Sequence, residues 1–222
     1  MKETTAKEVA FFGRITAGFT HEMKNVLAII RESAGLLEDL MAVSKSETFP
    51  HRERFLQRLS TIQTQVNRGV NLTTRMNRFA HCPDEALSVV DLNELVQQLV
   101  LLAERFARLK GVPLHFDPAE RAVMIRTSTL KLQLALFLAL ECCWNGMAAG
   151  GALRLRVQRA DDEPRVRADC EGGFAGASEF SLKVLDSECW TDVHDAVGEL
   201  GGQVEADDPG CGFSLILPAG LE

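Results

Sequence analysis

The residues best suited to chemistry are His21, Glu22 and Asn25, which lie within five consecutive positions. A neutral imidazole is a nucleophile near neutral pH, because its unperturbed pKa is about 6.5. Glu22 follows the histidine directly, and Asn25 lies about one helical turn further along the chain. These residues could support covalent catalysis through the ring. From spacing alone, an ordinary surface histidine on a long helix is the simpler interpretation.

Apolar periodicity predicts the helix that positions these residues. From Val9 to Met41, apolar and small side chains recur at alternating spacings of three and four, which is typical of the seam of a bundle helix. His21 lies about 200° around this helix from Phe19 and from Met23, so we expect its ring to be exposed. The predicted seam consists of Val9, Phe12, Thr16, Phe19, Met23, Val26, Ile30, Ser33, Leu37 and Leu40.

A second helix is predicted from His51 to about Ala80, after a turn at residues 44–50. Two such long helices cannot bury their seams against each other alone, so we expect two hairpins to form a four-helix bundle in a homodimer. The same pattern without the histidine would indicate a coiled-coil dimer, and both interpretations predict self-association. The apolar stripe of the second helix consists of Phe55, Leu59, Ile62, Val66, Gly69, Thr73 and Met76.

The run His-Glu-Met-Lys-Asn at residues 21–25, followed by apolar residues, resembles the H-box of sensor histidine kinases. In that family the histidine is phosphorylated and passes the phosphoryl group to an aspartate. The acidic residue polarises the ring, and the polar residue one turn on orients the reaction. The resemblance therefore implies catalytic roles for His21, Glu22 and Asn25. Val26 stands where many members carry a proline, so we expect a straighter helix here.

A break in the helical pattern at residues 81–85, His-Cys-Pro-Asp-Glu, predicts a domain boundary. It divides the chain into a helical hairpin over residues 1–82 and a second domain over residues 83–222. The second domain alternates helices with strands that we expect to pair antiparallel, which predicts an α/β sandwich and an α+β fold overall. The order of its elements resembles the GHKL-type ATP-binding domain that follows the hairpin in histidine kinases.

The ATP-binding residues of that family are only partly present. Aligning the family's N-box with the predicted helix at residues 128–151 puts Cys142 where an asparagine holds magnesium, and a neutral thiol is a poor ligand for a hard cation. Asn145 lies 300° further around the helix. In the first glycine-rich box, Asp169 and Gly173 match the residues for adenine and the final glycine, whereas Glu171 replaces the first glycine. Asp169 and Gly173 are therefore predicted to be the remnant of a nucleotide site.

The second glycine-rich box of the family is missing. Its place is taken by Ser-Glu-Cys-Trp at residues 187–190, which offers a negative charge instead of bare backbone amides for phosphate. Three altered boxes argue against nucleotide binding, so we expect no resident cofactor.

Three functions fit this pattern. The first is a phosphorelay histidine phosphotransferase, in which His21 exchanges a phosphoryl group with a receiver-domain aspartate and the receiver supplies magnesium. The second is a sensor histidine kinase that uses ATP and magnesium at a divergent site and responds to a separate sensor protein. The third is a non-enzymatic scaffold that binds a response-regulator receiver and sequesters it.

Charge and composition limit the kinds of partner that this chain could bind. Residues 1–82 carry 12 Lys and Arg against 8 Asp and Glu, whereas residues 83–222 carry 12 against 23. The mildly basic hairpin suits an acidic surface such as a receiver's carboxylate pocket, or it is simply a solvated helix face. Basic residues are dispersed, which argues against nucleic acid. We also expect no metal site, no membrane span and a cytoplasmic location.

The six cysteines show no metal-ligand or redox spacing. Cys142 and Cys143 are adjacent, and the other four are scattered along the chain. We therefore expect the cysteines to be buried thiols.

Overall fold

The structure is a computed structural model that describes residues 2–43, 51–82, 86–160, 162–207 and 210–218. The chain divides into two compact units. One unit comprises residues 13–80, and the other comprises residues 1–12 together with residues 81–222. The turn predicted at residues 44–50 and most of the predicted break at residues 81–85 lie outside the described residues.

The first unit is a hairpin of two long helices, as the apolar periodicity predicts. Helix α1 spans Lys2–Val43 and helix α2 spans Arg52–Ala80. Helix α1 passes through Val26 without a break, as expected from the absence of proline. The Val26 side chain is 1% exposed, and a Cβ on Gly69 of α2 would lie 3.4 Å from its Cγ1 atom. The two helices therefore approach closely one turn after His21.

The predicted seam is wrong at the beginning of α1. Val9 is 67% exposed, whereas Phe11 is buried and its ring centroid lies 5.1 Å from that of Phe137. Lys7 Nζ also donates to Asp192 Oδ1 at 2.8 Å. The first turns of α1 thus present a different face, because residues 1–12 belong to the second unit and pack within it.

The second unit contains five helical segments and seven strands within the described residues. They are β1 (Ser88–Asp91), α3 (Leu92–Leu109), β2 (Leu114–Asp117), β3 (Met124–Thr127), α4 (Thr129–Gly146), β4 (Ala152–Ala160), β5 (Glu163–Glu171), α5 (Ala177–Phe180), a π-helical turn (Ser181–Leu185), α6 (Glu188–Gly198), β6 (Gln203–Ala206) and β7 (Gly212–Ile216). The α5 helix and the π-helical turn were not expected from the sequence. Because each is only four or five residues long, neither produces a helical apolar period.

The strands form two sheets. Strands β1 and β3 pair antiparallel, and the larger sheet has the order β2-β4-β5-β7-β6. The expectation of antiparallel strands is wrong for β2 and β4, which pair in parallel. Helix α4 lies between them in the chain and supplies the crossover that a parallel pair requires. The predicted α+β fold, a helical hairpin followed by an α/β sandwich, is confirmed.

Alternation along β4 and β5 divides the larger sheet into an apolar face and a charged face. In β4, Leu153, Leu155 and Val157 are buried, and in β5, Val166 and Ala168 are buried. The residues that alternate with these along the two strands include four arginines, which therefore lie on the other face of the sheet. The core of the unit sits on the apolar face, where the mostly apolar helix α4 contributes eleven buried residues.

None of the helices in the described part of the chain combines the length and the apolar character needed to cross a bilayer.

Candidate functional site

The first candidate site lies around His21 on the exposed side of α1. The His21 side chain is exposed, as predicted, and its Nδ1 atom lies 3.4 Å from Asn25 Nδ2. The spacing of four residues places both side chains on one face of the helix. Asn25 thus lies beside one of the two ring nitrogens, Nδ1.

The direction of this contact depends on the imidazole tautomer and on the orientation of the amide. When the amide nitrogen faces the ring, it donates to Nδ1, and the ring proton resides on Nε2. Rotation of the amide by 180° brings Oδ1 to the ring, where it accepts the Nδ1–H and leaves the Nε2 lone pair available. Only the second arrangement makes Nε2 a nucleophile.

Glu22 does not extend into solvent beside the histidine. Its Oε2 atom lies 3.8 Å from Arg68 Nη2 on α2, and its side chain is 14% exposed against 42% for Arg68. The ion pair holds the carboxylate on the α2 side of His21, so α2 helps to define the site. Sequence reasoning missed Arg68, although its position next to Gly69 on the α2 stripe could have indicated that it faces α1.

The other four histidines lie elsewhere. His51 lines a cavity of about 380 Å³ near the beginning of α2, together with Asp39 and Arg54. His81 follows the end of α2, His115 lies in β2, and the His194 ring in α6 stacks edge-on against Trp190 at 6.2 Å. The His21 site is distinguished by its amide neighbour one turn along the helix.

The second candidate site is the region where the sequence predicted a nucleotide-site remnant. Cys142, in the place predicted for a magnesium-holding asparagine, is 2% exposed on α4. It forms a disulfide with Cys189 of α6, and the two Cα atoms are 6.2 Å apart. The expectation that all cysteines are thiols is wrong for this pair, because 47 residues separate them and no local spacing could indicate their contact. Asn145 is exposed.

Asp169 lies on the charged face of the sheet. Its Oδ2 atom accepts from Arg156 Nη1 at 3.0 Å, and its Oδ1 atom accepts from Arg167 Nε at 2.9 Å. The neighbouring Ala168 and Cys170 are buried on the opposite face. The hydrogen bond to Asp169 raises the pKa of Arg167, partly offset by burial. The alternation of charged and apolar residues along β5 was the sequence signal for this placement.

Gly173 packs against the end of α4. Its φ angle is +77°, and its carbonyl accepts from the Ala148 N–H at 2.8 Å. A Cβ at Gly173 would lie 3.1 Å from the Met147 Cε atom, so only glycine fits this turn without displacement of its neighbours. Asp169 and Gly173 are thus both engaged within the protein. Their assignment to a nucleotide site stays a prediction.

Glu171 forms an ion pair on the charged face of the sheet. Its carboxylate accepts hydrogen bonds from the Arg154 guanidinium, which lowers the pKa of Glu171. Arg154 Nη1 also donates to Asp117 Oδ1 at 3.2 Å, which extends the charged network to β2.

The run at residues 187–190 begins α6. Ser187 is its N-cap residue, and Trp190 is buried with its ring centroid 4.9 Å from that of Phe213. The tryptophan therefore anchors α6 to the sheet, at a place where the family pattern would have glycines. Helix α6 begins at Glu188, so Glu188 and Cys189 belong to its first turn.

Comparison with known proteins identifies the fold. No protein-family model matches the sequence, and no curated protein matches it significantly. Among solved structures, the catalytic domain of histidine kinase ThkA matches with a TM-score of 0.50 at 15% identity, covering 61% of this chain and 97% of the domain. Acinetobacter baumannii histidine kinase AdeS matches with a TM-score of 0.48 at 13% identity, covering 90% and 98%. ThkA in complex with response regulator TrrA matches with a TM-score of 0.45 at 18% identity, covering 95% and 63%.

The chain therefore shares the fold of a histidine kinase catalytic domain. Likeness at this level of identity concerns the fold, so the function has to be argued from the residues of the two candidate sites.

Proposed function

We propose that the protein is a histidine phosphotransferase of two-component phosphorelay signalling. His21 accepts a phosphoryl group from the aspartate of one response-regulator receiver and passes it to another. The observation that carries this proposal is the exposed imidazole whose Nδ1 atom lies within reach of Asn25, on a helix that continues unbroken for several turns on either side. A rigid, accessible nucleophile is the main requirement for in-line phosphoryl transfer between two proteins.

The transfer step follows from this geometry. With Asn25 Oδ1 accepting the Nδ1–H, the Nε2 lone pair attacks the phosphorus of the aspartyl phosphate. The P–N bond forms as the P–O bond to the aspartate breaks, and the carboxylate leaves with the electron pair of that bond. The reverse step delivers the group to the next receiver. In this proposal magnesium belongs to the receiver's site and not to this chain.

Glu22 and Arg68 support the phosphorylated state. Bond formation places positive charge on the ring, which the Glu22 carboxylate stabilises from the α2 side. Arg68 limits the movement of that carboxylate. It also brings a guanidinium to the edge of the site, where it can pair with the negatively charged phosphoryl oxygens. The exposed Lys24 on α1 adds a second positive charge that suits an acidic receiver surface.

Dimerisation through the hairpin is part of the proposal. Apolar side chains on α2 remain exposed in the single chain, including Leu59 at 42% and Val66 at 43%, both on the stripe predicted from the sequence. A second hairpin would cover them and complete a four-helix bundle. The proposal also retains the expectation of a cytoplasmic protein.

The alternative is an ATP-dependent histidine kinase, which the shared catalytic-domain fold favours. Three placements favour the transferase. Cys142 is buried in a disulfide, the Asp169 carboxylate is engaged by two guanidinium groups, and Trp190 fills the beginning of α6. A nucleotide would have to displace packed or paired groups at each of these places.

Two parallel incubations distinguish these functions. In one, the protein is mixed with radiolabelled ATP and magnesium; in the other, it is mixed with a receiver carrying labelled phosphoryl groups. The proposal predicts label on the protein only in the second incubation. Label from ATP alone would establish the kinase, and a receiver that binds but transfers nothing would establish the scaffold.

A further inference from the structure

The disulfide between Cys142 and Cys189 joins two helices that flank a distinct segment. This β5–α6 segment, residues 172–187, contains α5 and the π-helical turn. Helix α4 carries Cys142, and Cys189 lies in the first turn of α6, directly after the segment. A Cα separation of 6.2 Å falls within the range of about 4.4–6.8 Å that disulfides span.

The β5–α6 segment has few other attachments to α4. At its beginning, the Gly173 carbonyl accepts from the Ala148 N–H. Near its end, the Val184 side chain packs closely on α4, since a Cβ added to Gly146 would lie 3.3 Å from Val184 Cγ2. Within the segment, Phe180 and Val184 are buried, whereas Leu182 is 71% exposed. A covalent bond at position 189 therefore adds a restraint at the end of a segment that is otherwise held by side-chain packing and backbone hydrogen bonds.

The two partners differ in accessibility. Cys142 is 2% exposed, whereas Cys189 is exposed at the surface of α6. A small thiol or disulfide can reach Cys189 but not Cys142. Ser187 Oγ lies 3.0 Å from Cys189 Sγ and can accept the thiol hydrogen once the bond is broken. Both redox forms are thus accommodated locally, which suits a bond that opens and closes.

The remaining cysteines of this unit are poorer candidates for exchange. Cys143, next to Cys142, faces Cys170, and this contact together with full burial raises the pKa of the Cys143 thiol well above its usual value. Burial also raises the pKa of the Cys211 thiol. Protonated thiols are weak nucleophiles, and none of the four remaining cysteines is as exposed as Cys189.

We propose that Cys142 and Cys189 form a reversible thiol–disulfide site that controls the order of the β5–α6 segment. The chemical partner is a low-molecular-weight disulfide of the oxidised glutathione class. The Cys189 thiolate attacks this disulfide and releases one thiol, giving a mixed disulfide. The Cys142 thiolate then attacks Cys189 Sγ and releases the second thiol. The two cysteines lose two electrons and two protons, which the small disulfide takes up as two thiols.

The oxidised and reduced forms should differ in stability. The bond closes a loop of 47 residues, so oxidation should raise the unfolding temperature by about 5–10 °C. Exposed disulfides are the more readily reduced ones, so millimolar thiol should be sufficient to reverse the change.

The test uses the full-length protein equilibrated with oxidised or reduced glutathione. Under denaturing conditions, alkylation should modify four thiols in the oxidised protein, namely Cys82, Cys143, Cys170 and Cys211, and all six after reduction. Hydrogen exchange of residues 172–187 should be slower in the oxidised form. Six alkylated thiols in the oxidised protein, or equal exchange in the two forms, would overturn the proposal.

Variants assign the effect to this pair. Cys189→Ser, at an exposed position that tolerates the change, should abolish the difference between the oxidised and reduced forms, as should Cys142→Ser if it folds. Cys82→Ser serves as the matched control and should retain the full difference. A redox response that persists in Cys189→Ser would contradict the assignment.

Discussion

The hairpin around His21 and the region around Cys142 differ in how accessible their polar side chains are. On α1, the imidazole is exposed, with the Asn25 amide beside Nδ1. On α4 and β5, two side chains align with nucleotide-binding residues of the histidine kinase family. One is buried in a disulfide, and the other is paired with arginine. The first region leaves its polar groups accessible, whereas the second pairs or buries them within the fold.

The proposed function accounts for this difference in terms of stability. A nucleotide site needs bare amides, a metal ligand and an open cleft, all of which cost stability when no ligand is bound. Disulfides, guanidinium–carboxylate pairs and a buried tryptophan remove that cost. We infer that the second unit contributes structure to the protein, and that the hairpin carries the chemistry.

The largest effect is expected from removal of the imidazole. His21→Ala should abolish phosphoryl uptake from a phosphorylated receiver, because it removes the ring nitrogen that is proposed to carry the phosphoryl group. His81→Ala, which removes an exposed histidine outside the site, is the control and should transfer at the parental rate. Uptake is measured as label on the protein against time. An unchanged rate in His21→Ala would show that a residue other than His21 carries the phosphoryl group.

The next largest effect concerns self-association. A double change of Leu59→Glu and Val66→Glu should weaken the dimer at least about 100-fold, since four charges would be buried at the proposed interface. Both positions are exposed in the single chain, so the hairpin itself should stay folded. Val26 is a poorer choice because it is already buried within the hairpin.

Analytical ultracentrifugation over a concentration series measures this dissociation. Thr64→Glu places one charge on the opposite face of α2, about 140° from Leu59, and should leave the dimer intact. A parent protein that sediments as a monomer at micromolar concentration would contradict the proposed four-helix bundle.

A smaller effect is expected from the ion pair behind the histidine. Glu22→Gln should slow phosphoryl uptake about tenfold, and Arg68→Gln no more than about fivefold, because an exposed pair contributes at most about 1 kcal/mol. If Arg68 acts through Glu22, the double variant should be no slower than Glu22→Gln alone. Arg75→Gln, two turns along the same helix, is the control. Fully additive losses would mean that Arg68 acts independently of the carboxylate.

The smallest effect should come from Glu171, which replaces a glycine of the nucleotide box. Its pKa is lowered by Arg154, so its contribution to stability is present above the ordinary carboxyl pKa and is lost as the pH falls through the lowered value. Glu171→Gln should therefore lower the unfolding temperature by about 1 °C or less at neutral pH, and by nothing in acid. Calorimetry at the two pH values measures this. A loss of several degrees, or one that persists in acid, would contradict this prediction.

Local patterns predicted much of this molecule. The 3.6-residue period predicted α2 almost to its ends, and it predicted α1 over Val9–Met41. The exposure of His21 followed from its angle to the seam. Each of these features depends on residues within a few turns of one another, so the sequence carries the information directly.

Features that depend on distant packing were beyond the sequence. The Glu22–Arg68 pair requires the rotation of two helices against each other, and the Cys142–Cys189 bond requires α4 and α6 to lie side by side. The parallel pairing of β2 with β4 likewise depends on how α4 crosses the sheet. Asp169 is different, because the alternation along β5 could have indicated its side of the sheet.

The most direct test of the account is to locate the phosphoryl group on the unmodified protein. After incubation with a phosphorylated receiver, the protein is digested at a pH that preserves phosphoramidates, and the peptides are sequenced by mass spectrometry. The account predicts modification at His21, and a loss of that signal when a second, unphosphorylated receiver is added. A phosphoryl group found on any other residue, or none on the protein while the receiver loses its own, would contradict it.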